Sequence, residues 1–313
     1  MNDHSPRRLK GSLIERAAEH FGLEAETLAP VAALSPAAFD IPPMPVIAPA
    51  PATVPEHSAK QAAPRPVSRR FATIDRARLA EQGMLVPGGP VDVLAEEFRL
   101  AKRQLLLTAR AAAGKNADRA RMVLVCSARP NEGKTFCATN LAISMAAERD
   151  VEILLVDADL AKPDILDRLG IDAGPGLLDV LNDSALDAES CVIETDIPKL
   201  SVLGAGTRSA NDTELLASER ARRVLDALAT ANPDRIVIFD SPPILSASPA
   251  SVLALHVGQA MMVVRADRTT ESDIRQAVAL LDGCEHVQLL LNAATFMSGD
   301  GRFGSYYGEE LAG

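Results

Sequence analysis

Short apolar runs alternate with amphipathic segments from residue 121 to residue 291. The apolar runs are rich in Val, Ile and Leu with few polar interruptions, as in strands buried on both faces of a parallel sheet. The segments between them repeat apolar residues at helical intervals. The pattern predicts an α/β fold, with a mostly parallel sheet covered by helices on both faces. We expect strands at 122–127, 152–156, 200–203, 235–239, 260–264 and 287–291, and helices at 134–148, 163–169, 176–181, 212–229, 249–256 and 271–281.

The chain before residue 121 is organised differently. Ser12 and Glu15 have the spacing of a capping box and apolar residues follow at helical intervals, so we expect a short amphipathic helix within residues 1–28. Pro and Ala dominate residues 29–70, which predicts a disordered linker. We expect a folded domain over 71–295, beginning with a long helix at about 91–113, and a flexible Gly- and Tyr-containing tail over 296–313.

The strand predicted at 122–127 leads into a phosphate-binding loop. Ala128-x-x-x-x-Gly133-Lys134-Thr135 has the spacing of this loop, with Ala128 in place of the usual first glycine. In such loops backbone N–H groups and a helix N-terminus surround nucleotide phosphates, the lysine neutralises the β and γ oxygens, and the hydroxyl residue coordinates Mg²⁺. The expected phosphate contacts come from Arg129, Pro130, Asn131, Glu132, Gly133, Lys134, Thr135 and Phe136.

Carboxylates follow further strands at their C-terminal ends. Asp157 and Asp159 close the strand predicted at 152–156, and Asp240 follows the strand predicted at 235–239. Ligands of open α/β sheets bind at this edge, and carboxylate and phosphate oxygens suit Mg²⁺. Any one of these aspartates could simply cap a loop, but together with a phosphate loop they indicate a nucleotide and magnesium site.

Composition narrows the classes of function. A formal net charge of −10 and a pI near 5.1 argue against binding along a nucleic-acid backbone, so we expect no nucleic-acid partner. The four cysteines form no Cys-x-x-Cys pair and are expected to be reduced core residues, and the five histidines lack metal-ligand spacing. No apolar run is long enough to span a bilayer, and the start does not resemble a signal peptide. We expect a cytoplasmic chain whose membrane contact is made through a partner.

The order of these motifs resembles the bacterial tyrosine autokinases of capsule and exopolysaccharide loci, a P-loop family unrelated to eukaryotic protein kinases. The resemblance covers about residues 91–308 and is strongest to the subgroup from exosortase-linked loci. It rests on a Walker A motif at 128–135, a second Walker-type motif at 154–160, a Walker B motif at 239–243 and a helix-opening segment at 211–216. Glu96-x-x-Arg99-x-x-Lys102 resembles the family's oligomerisation motif, and the tail ends in Tyr306 and Tyr307.

The resemblance implies an ATP-dependent kinase that phosphorylates Tyr306 and Tyr307 in trans within a ring of copies. It also implies a membrane-embedded polysaccharide co-polymerase as activator, at the inner membrane. Lys134 would hold the β and γ phosphates.

Further roles follow from the same resemblance. Thr135, Asp159 and Asp240 would bind Mg²⁺. Asp157 is the candidate for orienting or deprotonating the tyrosine hydroxyl. Asn292, at the end of the last strand, is a candidate adenine contact, although an Asn in that place is equally often a turn residue.

Some residues depart from the family pattern, and two alternatives stay open. Ala161 stands where a basic pair usually begins, which leaves Lys162, and Pro249 replaces a frequent acidic residue. The first alternative is a partitioning or division-site ATPase, although such proteins carry a lysine where this chain has Arg129. The second is a nucleotide-dependent scaffold without phosphotransfer. Stimulation of ATP hydrolysis by DNA or lipid would support the first, and phosphotyrosine detection separates the second from a kinase.

Overall fold

The computed structural model describes residues 69–112, 117–208 and 212–294. All of these residues belong to one compact unit of the chain. The amphipathic helix predicted within residues 1–28, nearly all of the predicted linker, and the tail with Tyr306 and Tyr307 lie outside the described residues.

The strands form a single sheet of eight in the described part of the chain. They are β1 Arg70–Ala72, β2 Met122–Ser127, β3 Glu152–Asp157, β4 Ile193–Thr195, β5 Leu200–Leu203, β6 Arg235–Asp240, β7 Gln259–Arg265 and β8 His286–Asn292. Their order across the sheet is β1-β4-β5-β3-β6-β2-β7-β8, and each neighbouring pair is parallel except β4 with β5. The predicted α/β class and its mostly parallel sheet are confirmed.

Every predicted strand is present with boundaries within a residue, but β1 and β4 were not predicted. Each has only three residues, too few for a periodic pattern. β1 begins at Arg70, which is the last residue of the range predicted as linker.

The helices fill the connections between strands. They are α1 Arg76–Glu81, α2 Val93–Ala111, α3 Ala117–Ala120, α4 Lys134–Ala146, α5 Ile165–Leu169, α6 Leu177–Asn182, α7 Ala188–Cys191, α8 Asp212–Leu216, α9 Glu219–Thr230, α10 Ser248–Ala254 and α11 Glu271–Ala279.

The helix predicted at 212–229 is wrong as a single element, because the structure contains two helices there. Ser218 separates α8 from α9 and accepts a hydrogen bond from the backbone N–H of Ala221. This side chain caps the start of α9, so a second helix begins here although the apolar residues keep their helical spacing across the break.

Two apolar clusters cover the two faces of the sheet. Met122 and Leu124 of β2 belong to one cluster, and Val123 and Val125 belong to the other. Every residue of β2 and β6 is buried, as the near-continuous apolar runs predicted. Burial of each large apolar side chain contributes roughly 1.5 to 3 kcal/mol, so the C-terminal ends of these strands are held firmly in place.

The cysteines of the described chain are free thiols in the core, as predicted. Cys126 in β2 is fully buried, and this burial raises the pKa of its thiol to about 12.

Candidate functional site

The phosphate loop joins β2 to α4 near the middle of the sheet and has a strongly bent backbone. Gly133 has a φ of 95° and forms the N-cap of α4, and Asn131 has a φ of 62°. A Cβ atom on Gly133 would lie 2.2 Å from the Nδ2 atom of Asn292. Glycine is therefore required at position 133, both by its backbone angle and by the side chain packed against it.

Lys134 is the first residue of α4, and its side chain is nearly buried. Its Nζ atom lies 3.2 Å from the Oδ2 atom of Asp159. The two side chains of the predicted Walker motifs thus meet directly, although they come from different strand ends. The ammonium is already at the site where phosphate charge is expected.

Asp240 lies at the end of β6, beside Asp157 at the end of β3 in the register of the sheet. It is 1% exposed, and among the residues that the structure describes neither of its carboxylate oxygens has a hydrogen-bond partner of good geometry. Burial raises the pKa of Asp240 to about 8, and the negative charges of Asp157 and Asp159 add to the rise. The hydroxyl of Thr135 and the positive charge of Lys134 act in the opposite direction and only partly offset the rise. A buried carboxylate without partners is unfavourable unless something supplies positive charge.

The same donor set fits a magnesium ion. Mg²⁺ usually takes one or two protein carboxylates and completes its shell with water and phosphate oxygens. Asp240 offers free oxygens, and Thr135 and Asp159 line the cleft in front of the loop. Within the described residues no group of three or more His, Cys, Asp or Glu side chains could hold a metal alone, so phosphate oxygens would have to complete the shell.

Asp157 has a structural contact that the sequence did not indicate. Its Oδ2 atom accepts hydrogen bonds from the backbone N–H groups of Asp164 and Ile165, each at 3.0 Å. These bonds fix the turn between β3 and α5. Burial raises the pKa of Asp157 to about 6, while the two backbone donors partly oppose the rise.

A cleft of about 350 Å³ opens in front of these residues, which is within the range of small-ligand sites. Lys162 and Arg168 bring positive charge to its wall. Lys162 is exposed, whereas Arg168 donates to Asp164 at 2.6 Å and to Gln82 at 3.2 Å. Arg168 was not predicted as a site residue, because its position on α5 becomes apparent only in the folded chain.

Asn292 lies at the end of β8, as predicted, and contacts the loop itself. Its Nδ2 atom donates to the backbone oxygen of Glu132 at 2.9 Å, and its Oδ1 atom accepts from the N–H of Ala293 at 2.8 Å. Asn292 thus braces the phosphate loop, and the adenine contact stays a prediction.

The residues of the predicted oligomerisation motif differ in their exposure. Glu96 and Arg99 form an ion pair on the outer side of α2. Lys102 is buried, where it donates to the backbone oxygen of Ser144 at 2.7 Å and pairs with Glu148 at 2.8 Å. The ammonium of Lys102 is therefore used within the subunit, so among the motif residues only Glu96 and Arg99 face outward.

A parallel sheet with a phosphate loop at its centre, and carboxylates at the ends of the neighbouring strands, defines a P-loop NTPase-type domain. No family model matches the chain. The chain is 31% identical over 163 residues to the tyrosine-protein kinase YwqD of Bacillus subtilis, which covers 52% of this chain and 67% of YwqD. It is 32% identical over 193 residues to the putative tyrosine-protein kinase EpsB of Ralstonia nicotianae, which covers 60% of this chain and 25% of EpsB.

The fold has a counterpart among solved structures. The BceF tyrosine kinase domain matches with a TM-score of 0.57 and 26% identity, covering 71% of this chain and 91% of that domain. The chain belongs to the family of bacterial tyrosine-protein kinases. It spans about a quarter of the length of EpsB, and the exosortase-linked subgroup stays a prediction.

Proposed function

We propose that this chain is an ATP-dependent protein-tyrosine autokinase that phosphorylates Tyr306 and Tyr307 of neighbouring copies and so regulates exopolysaccharide polymerisation or export. The main observation behind the proposal is that Lys134, Asp159 and Asp240 lie close together at the edge of the sheet where the parallel strands end. The relatives named as tyrosine-protein kinases support the same activity.

The proposed reaction depends on positioning and charge neutralisation more than on covalent catalysis. Lys134 exchanges Asp159 for the β and γ phosphate oxygens of ATP. Thr135, Asp159 and Asp240 hold Mg²⁺, which when bound neutralises charge on the phosphates. The bond between the γ-phosphorus and its bridging oxygen to the β-phosphate breaks as the tyrosine oxygen forms a new bond to that phosphorus.

Asp157 is proposed to orient the tyrosine hydroxyl and receive its proton. A pKa near 6 makes this carboxylate a better proton acceptor near neutral pH than an exposed aspartate. Its Oδ1 atom makes no hydrogen bond to the described residues, while the other oxygen holds the turn. Because Asp157 is buried behind the cleft lining, the proposal requires the site to open around this oxygen when the tyrosine binds.

Arg129 helps to distinguish the kinase from the first alternative, a partitioning or division-site ATPase. It stands where partitioning ATPases carry a lysine, yet its guanidinium pairs with Asp273 of the same subunit at 2.8 Å. Arg129 is thus engaged within its own subunit. This favours the kinase over a partitioning or division-site ATPase, which would need the residue at this position for a different contact.

Assembly and localisation are proposed from the resemblance. Copies would form a ring through the outer side of α2, where Glu96 and Arg99 lie. Phosphate added to the tail would repel the acidic residues Glu309 and Glu310 and so loosen the ring. A membrane-embedded co-polymerase would activate the kinase from the inner membrane, with the segment 1–28 on its tether 29–70 as a docking element for that partner. Among the described residues no helix is long and apolar enough to cross a bilayer.

A complementation experiment tests the proposal. The full chain with Lys134→Met supplies intact tail tyrosines, and the full chain with both Tyr306→Phe and Tyr307→Phe supplies an intact site. We expect phosphotyrosine on the Lys134→Met chain only when the two are mixed with Mg-ATP. If the Lys134→Met chain alone is phosphorylated, the role of Lys134 is wrong. If the mixture gives no phosphotyrosine while ATP still binds, the scaffold alternative is favoured.

A further inference from the structure

The carboxylate of Glu132 lies inside the phosphate loop and is fully buried. Its Oε2 atom accepts a hydrogen bond from the backbone N–H of Arg129 at 2.8 Å. Its Oε1 atom accepts from the hydroxyl of Thr269, which lies in the turn between β7 and α11. A buried carboxylate needs such donors, so the shape of the loop depends on a residue distant in sequence.

The hydroxyl of Thr269 is committed to this contact. It accepts a hydrogen bond from the backbone N–H of Arg265 at 2.9 Å, so its single proton is directed to Glu132. Arg265 also reaches the loop directly, because its Nη1 atom donates to the backbone oxygen of Asn131 at 2.9 Å. The end of β7 is thereby connected to the middle of the phosphate loop.

A second contact comes from the first turn of α11. Asp273 is 3% exposed, and its Oδ1 atom accepts from the Arg129 guanidinium at 2.8 Å. Its Oδ2 atom accepts from the N–H and the hydroxyl of Thr270, which completes the capping box of α11. The hydrogen bonds from Arg129 and Thr270 hold the pKa of Asp273 well below its usual range, so the group is a carboxylate at neutral pH.

We propose that Thr269 and Asp273 are positioning residues for nucleotide binding, acting on the phosphate loop through Glu132 and Arg129. The proposal rests on the proposed ATP-binding function. A loop with positive φ at Asn131 and Gly133 persists only where surrounding contacts determine it. These two side chains supply contacts from outside the loop, and neither is part of the Walker motifs.

The expected effect follows from the lost hydrogen bonds. Thr269→Val keeps the side-chain shape but leaves the buried Oε1 atom of Glu132 without a donor, so the loop reorganises and Mg-nucleotide affinity falls about ten-fold. Thr269→Ser keeps the hydroxyl and restores affinity. Asp273→Asn keeps an acceptor for Thr270 but loses the charge that holds Arg129, and affinity falls about three-fold.

The experiment titrates the full chain and each variant with a fluorescent ADP analogue and Mg²⁺, and records thermal unfolding without nucleotide. Glu271→Gln is the matched control, because Glu271 is exposed in the same helical turn and its ion-pair partner among the described residues is Arg275. We expect weaker binding for Thr269→Val and Asp273→Asn, with Thr269→Ser and Glu271→Gln like wild type. The unfolding midpoint without nucleotide should fall modestly in Thr269→Val, which leaves a buried carboxylate without a donor, and stay close to wild type in the other three.

Two results would overturn the proposal. One is wild-type affinity in both Thr269→Val and Asp273→Asn. The other is affinity loss that follows a lower unfolding midpoint and is not rescued by Thr269→Ser. Because the analogue is bound without phosphotransfer, a chain that binds it normally but phosphorylates no tyrosine contradicts the proposed kinase function and leaves the positioning result intact.

Discussion

Replacing Asp240 with Asn should stabilise the nucleotide-free protein while removing the proposed kinase activity. In the folded chain Asp240 is fully buried, and among the described residues its oxygens have no hydrogen-bond partner of good geometry. Burial raises the pKa of this carboxyl group from its ordinary value of 3.8 to about 8 in the folded chain. Asn has a similar shape and no charge, so it avoids the unfavourable ionisation.

The magnitude follows from proton linkage. A raised folded pKa means that the folded state retains a proton which the unfolded chain loses. The contribution of Asp240 to stability is therefore largest below pH 3.8 and falls until about pH 8. Each pKa unit is worth about 1.4 kcal/mol, so between about pH 5.5 and about pH 8 the wild type loses up to about 3 kcal/mol through Asp240. The charge of Asp157, which lies beside Asp240 in the register of the sheet, raises the pKa of Asp240 further and so contributes to this loss.

The assay is urea unfolding of wild type and Asp240→Asn with a chelator present, at about pH 5.5 and about pH 8. We expect the variant's advantage to grow with pH, and Mg-ADP to stabilise the wild type but not the variant. Asp172→Asn, at an exposed aspartate, is the control and should change neither quantity. An advantage that is the same at both pH values would refute the reasoning about burial of Asp240.

Further predictions concern the loop and α2. Gly133→Ala should abolish Mg-nucleotide binding and lower the free energy of unfolding by about 1 to 3 kcal/mol, because φ at this position is 95° and the new Cβ atom would clash with Asn292. Calorimetric titration measures the binding and urea unfolding measures the stability. Normal nucleotide binding by this variant would contradict the prediction. Lys102→Met should lower the free energy of unfolding by about 1 to 3 kcal/mol, because Ser144 and Glu148 lose a buried donor. Arg99→Ala removes only an exposed pair, so it should change unfolding by less than about 1 kcal/mol while reducing the mass of the oligomer in light scattering. An unchanged mass in Arg99→Ala would remove Arg99 from the proposed interface.

The sequence predicted well those parts of the fold that have a local signal. The strands β2, β3 and β6 are apolar runs that end in the phosphate loop or in aspartates, so both the sheet and the meeting of Lys134, Asp159 and Asp240 could be anticipated. Their order in the sheet follows from contacts distant along the chain.

Contacts between distant segments could not be predicted. Thr269 and Asp273 follow β7 in sequence but contact the loop after β2, and no local pattern in the sequence indicated these contacts. Lys102 matches a motif by spacing, yet the packing of α2 on α4 directs it inward. The side chain of Ser218 divides a region whose apolar spacing suggested one helix.

Intact-mass spectrometry after incubation with Mg-ATP is the decisive test of the proposed tyrosine autophosphorylation. The samples are the full chain, Lys134→Met, and the double variant Tyr306→Phe with Tyr307→Phe. We expect one or two added phosphates on the wild-type chain and none on either variant. Phosphate on the double variant, or on Lys134→Met alone, would contradict a tail-directed tyrosine autokinase.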